Sequence, residues 1–225
     1  MAQEKDRSAR SKREARNERR RDQTRAEILA TARDVVLHRG LAGFTLADVA
    51  DELGLTKPAL YYYFENKEAL LFELLLREWI EAAGEVQAAV DETETGVDAV
   101  EALMRTVFDR YRDRLELFVL FFKMGPGGDF QGIIGPEGLE RIRPVNDMLY
   151  GGTEARLRAD QKSGGFPSKR DPRRFAFSAH MAVIGLLNMK AIAASVDDPL
   201  IHSDEDLIAD LCTTFRDAAL HGGAK

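Results

Sequence analysis

Apolar positions begin late in this chain. From Met1 to Arg25 there is no branched aliphatic or aromatic residue. Such a segment cannot bury apolar area, so residues 1–24 read as a basic arm without packed structure. From Ile28 the pattern changes. Ile28, Leu29, Ala32, Val35 and Val36 fall at i, i+1, i+4, i+7 and i+8, the period of an amphipathic helix, and Gly40 stands where a C-cap glycine belongs. Thr45-Leu46-Ala47-Asp48 has the form of a capping box with Asp in place of Glu, and Val49, Ala50 and Leu53 supply the inward face of a second, short helix. Gly54-Leu55 makes a tight turn. Thr56 can then cap a third helix with Pro58 in its first turn, and Asn66 a fourth that carries Leu70, Leu71, Leu74 and Leu75.

Helical periodicity continues to the C-terminus without strand signals. Val97 to about Met124 reads as one long or two abutting helices. Eight of the 18 glycines then lie between Gly125 and Gly152. A helix from about Pro136 to Gln161 is expected, with Gly151-Gly152 a place for a break or kink. Asp171-Pro172 opens an apolar helix to about Ser195, and Asp204 opens the last, to about Leu220. The fold class is therefore all-α: a three-helix N-terminal head with a helix-turn-helix over residues 25–70, followed by a larger helical domain over 71–225.

The net charge of −6 argues against a nucleic-acid partner until its distribution is considered. The first 66 residues hold 13 Lys/Arg against 11 Asp/Glu, and the remaining 159 hold 19 against 27. Within the first 25 the balance is 10 basic to 5 acidic. A basic head on an acidic body suits a protein that touches phosphates at one end. The arm can be a solvated tail or a segment that orders on DNA, and both can hold. No stretch of 18 uninterrupted apolar residues is present and the N-terminus has no apolar signal core. The single cysteine, Cys212, fits a reducing compartment, so a cytoplasmic location is expected.

Two short helices joined by a glycine-containing turn make a helix-turn-helix, whose second helix lies in the major groove. Here the unit is Thr45–Phe64. At about 100° per residue Leu60 and Phe64 share one face, Tyr62 points away from them, Pro58 and Ala59 lie near the same outer side, and Tyr61 and Tyr63 flank the core face. Three successive tyrosines cannot all be buried, and an exposed aromatic cluster marks a contact surface. Tyr63 may instead cover the joint between head and body.

The run Thr45-Leu46-Ala47-Asp48-Val49-Ala50, followed by Gly54-Leu55-Thr56-Lys57-Pro58-Ala59-Leu60-Tyr61-Tyr62-Tyr63-Phe64-Glu65-Asn66-Lys67-Glu68-Ala69-Leu70, resembles the DNA-binding signature of the TetR family of regulators. The resemblance covers about Arg25 to Leu71 without a gap. It implies phosphate contacts from Thr45 and Thr56 at helix N-termini, base reading by Lys57, Pro58, Ala59 and Tyr62, and phosphate hydrogen bonds from Tyr61 and Tyr63. Lys67 would grip a further phosphate. It also implies a homodimer formed through the last two helices, a double-stranded palindromic operator as partner, and release by a small-molecule effector bound in the body, which makes the chain a repressor. An activator or a ligand-independent regulator of the same fold, or a helical adaptor that binds no DNA, are the alternatives.

Candidate effector-lining residues are Met104, Phe108, Tyr111, Phe118, Phe121, Phe122, Met148, Phe177, His180, Met181 and Asn188. His180 and Asn188, polar on an apolar helix, either meet a ligand or hydrogen-bond across a dimer. Lys190 is the one basic residue within the apolar run 175–194, so a neutral or hydrophobic effector is expected. His38, His180, His202 and His221 form no metal-binding helical pair, and no nucleotide-binding or nucleophile motif appears. No enzyme, cofactor or metal is expected.

Overall fold

A computed structural model describes residues 2–123, 136–167, 169–196 and 202–221, the side chains of 2–12, 41–42 and 121–123 excepted. The described residues are organised as helices: α1 Ala2–Gly43, α2 Leu46–Glu52, α3 Lys57–Tyr63, α4 Lys67–Asp91, α5 Gly96–Tyr111, α6 Leu115–Lys123, α7 Pro136–Ser163, α8 Pro172–Ser195 and α9 Asp204–His221. Two compact units result, Met1–Leu74 and Leu75–Lys225.

In the first unit Ile28, Leu29, Ala32, Val35 and Val36 are all buried, together with Phe44, Leu46, Val49, Ala50, Leu60, Phe64 and Leu70. Gly40 takes φ 68°, the left-handed conformation that a side chain resists, and interrupts the helical geometry of α1 where the sequence places a cap. One expectation changes. The lead-in expected as an arm without packed structure continues α1 back to Ala2, and its residues from 13 to 23 are exposed. Arg, Glu, Lys, Ala and Gln are strong helix formers, so a helix can propagate there from the packed part of α1 without burying anything.

The second unit is arranged around α5, which packs on α7, α8 and α9. Val100, Leu103, Met104, Val107 and Phe108 form its buried stripe at i, i+3, i+4, i+7 and i+8. The 97–124 segment resolves into two helices separated by a turn at 112–114, closed by Arg112 N–H on the Phe108 carbonyl and Arg114 N–H on that of Tyr111. The break expected at Gly151-Gly152 does not occur: α7 is continuous, and a β-carbon on Gly152 would stand 3.0 Å from Val90 Cγ1. Gly152 admits Val90 of α4 instead of ending the helix. The glycine-rich segment 125–135 lies outside the described residues.

By length and hydropathy Pro172–Ser195 could cross a membrane. Here Phe175, Ala176, Ala179, Val183 and Leu187 bury one side of it, while Phe177, Met181, Met189 and Ile192 form an exposed apolar stripe. Between α7 and α8 the Tyr150 hydroxyl and His180 Nδ1 share a hydrogen bond of 2.6 Å. Burial holds the His180 imidazolium back, to about 4 from an ordinary 6.5, and pushes the Tyr150 phenol upward.

Two outcomes are expected. A β-carbon on Gly96 would meet the Leu157 backbone at 2.7 Å, whereas one on Gly84 meets nothing within 4 Å. In urea denaturation Gly96→Ala should lose about 1–3 kcal/mol, and Gly84→Ala, inside α4, should gain roughly 0.5–1 kcal/mol. For His180 the folded-state pKa lies below the unfolded one, so the unfolded chain binds the extra proton. Stability then falls as pH drops from about 6.5 towards about 4. The melting temperature of His180→Asn, which keeps a hydrogen-bonding group for Tyr150, should lack this component; parallel pH profiles would exclude it.

Candidate nucleic-acid interface

Helix α3 has seven residues, too few to persist alone, and is held at both ends. At its start the Thr56 hydroxyl accepts from Ala59 N–H at 3.3 Å and Pro58 occupies the first turn. At its end Phe64 is buried, and Arg25 of α1 donates to the Tyr63 carbonyl at 3.3 Å. A cation on a last-turn carbonyl also answers the negative end of the helix dipole. The Arg25 guanidinium lies 4.5 Å from the centre of the Phe64 ring and pairs with Glu73 at 3.1 Å.

With Leu60 and Phe64 turned inward, the outer face is open. Tyr62 is 67% exposed and Tyr61 53%; Lys57 and Pro58 are exposed, Ala59 and Tyr63 half-buried. Tyr62 and Tyr63 meet edge to face at 5.2 Å, and the Arg21 guanidinium stands 5.5 Å over the Tyr62 ring. A hollow of about 420 Å³ brings together Thr45, Lys57, Tyr61 and Lys67 with Phe44, Leu46, Ala47, Leu60 and Asn66. Lys67 Nζ lies 5.5 Å from the Phe44 ring centre, so its charge stands over the aromatic floor. Asn66 caps α4, its side chain accepting from Ala69 N–H at 2.7 Å.

Thr45 is placed differently from the expectation of a phosphate contact. Its hydroxyl donates to Asp48 Oδ2 at 2.6 Å and accepts from Asp48 N–H at 3.2 Å, and its own N–H donates to the same carboxylate at 3.0 Å. The Thr45 hydroxyl foremost, with its amide and Arg39 adding, holds the Asp48 carboxyl below the usual range against the opposing effect of desolvation.

In the body the candidate residues divide. Met104, Phe108, Tyr111 and Phe118 are buried, the last two with rings 5.9 Å apart, while Met148 and Asn188 are half-buried. Phe177 and Met181 are 48% and 40% exposed, on a different side of α8 from the buried Ala176, Ala179 and Val183. Phe121 and Phe122 lie outside the described side chains. His180 turns to Tyr150, and Lys190 is ion-paired with Asp204. Sequence reasoning missed Tyr150 and the buried Thr153, whose hydroxyl has no hydrogen-bond partner among the described residues. It also missed Arg173, which bridges Asp147 and Glu154 beside a second hollow of about 420 Å³ lined by Asn146, Tyr150, Asp171, Arg173, Arg174 and Phe177. The phase shared by Val145, Thr153 and Leu157 was the available signal for Thr153; the Tyr150–His180 pairing, 30 residues apart, had none.

Residues 28–74 match the model of the bacterial regulatory proteins of the tetR family. The chain is 31% identical over 91 residues to the HTH-type transcriptional regulator TtgR of Pseudomonas putida, a match covering 40% of this chain and 42% of that one. It is 25% identical over 182 residues to the HTH-type transcriptional regulator EthR of Mycolicibacterium smegmatis, covering 79% and 76%. Against TtgR, then, it aligns over less than half of the relative's length. Among solved structures, the transcriptional regulator FadR of Bacillus subtilis superposes with a TM-score of 0.62 at 16% identity, over 88% of this chain and 98% of that one, which shows a common fold. Over residues 28–74, the segment that holds the helix-turn-helix, the chain is thus similar to the bacterial regulatory proteins of the tetR family.

Proposed function

We propose that the chain is a ligand-responsive transcriptional repressor of the cytoplasm that binds a palindromic operator as a homodimer and is released by a small apolar effector. The observation that carries the DNA-binding part is the outer face of α3: Lys57, Pro58, Tyr61 and Tyr62 stand exposed over the buried Leu60 and Phe64. A short, rigidly held helix that presents aromatic and basic groups is suited to a major groove, with Lys57 and Tyr62 on base edges and Tyr61 and Lys67 on phosphates. Thr56, whose hydroxyl already accepts from Ala59, keeps its own proton for an anion.

The homodimer reading is supported by the stripe Phe177, Met181, Met189 and Ile192, with Gly185 exposed among them. Apolar area of that kind is stabilised by a partner of the same kind in a two-fold contact. The effector reading is supported by the buried Met104, Phe108, Tyr111 and Phe118, and by the hydrogen-bonding groups of the same unit, Thr153 and the Tyr150–His180 pair. Lys190 is already spent on Asp204, which favours a neutral molecule. The FadR structure contains stearoyl-CoA, so this fold can hold an apolar chain. Release requires that the ligand prefer a state in which the two reading helices no longer match adjacent grooves. An enzyme acting through Cys212 is disfavoured: the thiol is buried and burial pushes it up to about 11.

Lys67→Ala should weaken binding to all duplexes alike and reduce the salt slope by about 1. Lys57→Ala and Tyr62→Ala should instead alter the preference among operator variants in a gel shift. Unchanged affinity and preference in both would remove α3 from the interface. The wild type should sediment as a dimer at micromolar concentration, with Gly185→Leu shifted towards monomer. A monomeric wild type would exclude the two-fold contact through α8.

A further inference from the structure

We propose that the arginine-bearing N-terminal part of α1 is a second DNA-contacting element, which lies against the phosphate backbone flanking the groove read by α3. The inference rests on the DNA-binding reading above and adds a surface to it. Its first support is the charge order along the helix. With 3.6 residues per turn, Arg13, Arg16, Arg19 and Arg20 fall on one side of α1, and Glu14, Glu18 and Asp22 on another, together with Arg21 and Arg25. Arg13, Arg16, Arg19 and Arg20 are exposed.

This order is costly to the helix by itself. Every charged i,i+4 pair between residues 12 and 25 is like-signed: Lys12/Arg16, Glu14/Glu18, Arg16/Arg20, Glu18/Asp22 and Arg21/Arg25. Like charges at that spacing oppose the helix. Opposite charges meet at i,i+3, in Glu18/Arg21, Arg19/Asp22 and Asp22/Arg25, along the seam between the two sides. A solvated tail has no need of sorted charge, whereas a polyanion laid on the basic side relieves the repulsion there without meeting the carboxylates, whose side of α1 also carries Arg21 and Arg25. Duplex DNA, with one negative charge per roughly 1.7 Å of axis, is such a polyanion.

The second support is position. The Arg21 guanidinium stands over the ring of Tyr62, the most exposed aromatic residue of α3, and Arg25 holds the last carbonyl of the same helix. The basic segment therefore leaves the head from the edge of its reading face. From Arg21 back to Ala2 the helix extends roughly 29 Å, the rise of about eight base pairs. Arg13, Arg16, Arg19 and Arg20 lie within roughly 12 Å of Arg21 along that axis, which puts them at the flank of the groove that α3 can occupy.

The experiment uses the full-length protein and duplexes enriched by it from a random pool, remade with about 4 or about 15 flanking base pairs on each side. The wild type should bind the long-flank form at least about tenfold more tightly at low salt. The variant carrying Arg13→Gln, Arg16→Gln, Arg19→Gln and Arg20→Gln should lose that advantage and lower the salt slope on the long duplex by about 2 or more. It should select the same central sequence as the wild type. Equal slopes and equal flank dependence for variant and wild type overturn the arm contact while leaving the head's role intact. Failure of the wild type to enrich any sequence overturns the regulator reading and the arm contact with it. Loss of binding to vesicles of acidic phospholipid, with DNA binding unchanged, assigns the arm to a membrane surface and also overturns the proposal.

Discussion

A seven-residue helix can bury little, and everything α3 offers to the outside depends on how it is fastened. Leu60 is buried, and so is Phe64 at its C-cap. Burying a leucine fully is worth about 2 kcal/mol, comparable with the loss of one or two caps. The Thr56 hydroxyl at one end and Arg25 at the other therefore contribute on the same scale as the apolar anchors. Arg25 does three things at once: it satisfies the Tyr63 carbonyl, covers the Phe64 ring and pairs with Glu73. Orientation of the tyrosines follows from this fastening, since no other buried residue belongs to α3.

The second unit is fastened by a different device. Glu78, Glu81 and Glu85 stand on one face of α4 at i, i+3 and i+7, and Arg110 of α5 reaches all three. The Arg110 and Glu78 side chains are themselves buried. A buried pair of this kind adds little over an apolar match, yet removing one partner costs about 3–5 kcal/mol because the other charge is stranded. The contact is therefore selective: it tolerates one arrangement of α4 against α5 and penalises others. The apolar stripe of α5 supplies area without that selectivity.

Much of the head was legible because its signals are local. Gly40, the Thr45–Asp48 capping box, Thr56, Pro58, Asn66 and the Leu60–Phe64 spacing each act within a turn or two of the residue that carries them. The body was legible as helices, and less so as a site. On α8 apolar residues occur on every side, so periodicity did not distinguish the inward Ala176, Ala179 and Val183 from the outward Phe177 and Met181. The small alanines are the ones that pack, because close helix approach favours them over bulk. Gly151-Gly152 misled for the same reason, as glycine that ends a helix and glycine that admits a neighbour look alike in sequence. Partners distant in the chain, Arg25 with Tyr63 and Tyr150 with His180, leave no periodic trace.

The Thr45–Asp48 box has a consequence for how the head is wired. An uncapped helix start is electropositive and accepts any anion, but here a fixed carboxylate already neutralises the first turn of α2. The first turn of α2 thus carries a fixed carboxylate, while the caps of α3 and α4, Thr56 and Asn66, are uncharged. The charge presented just before the turn is therefore set within α2 by its own cap, while Leu46, Val49 and Ala50 seat that helix in the core of the head.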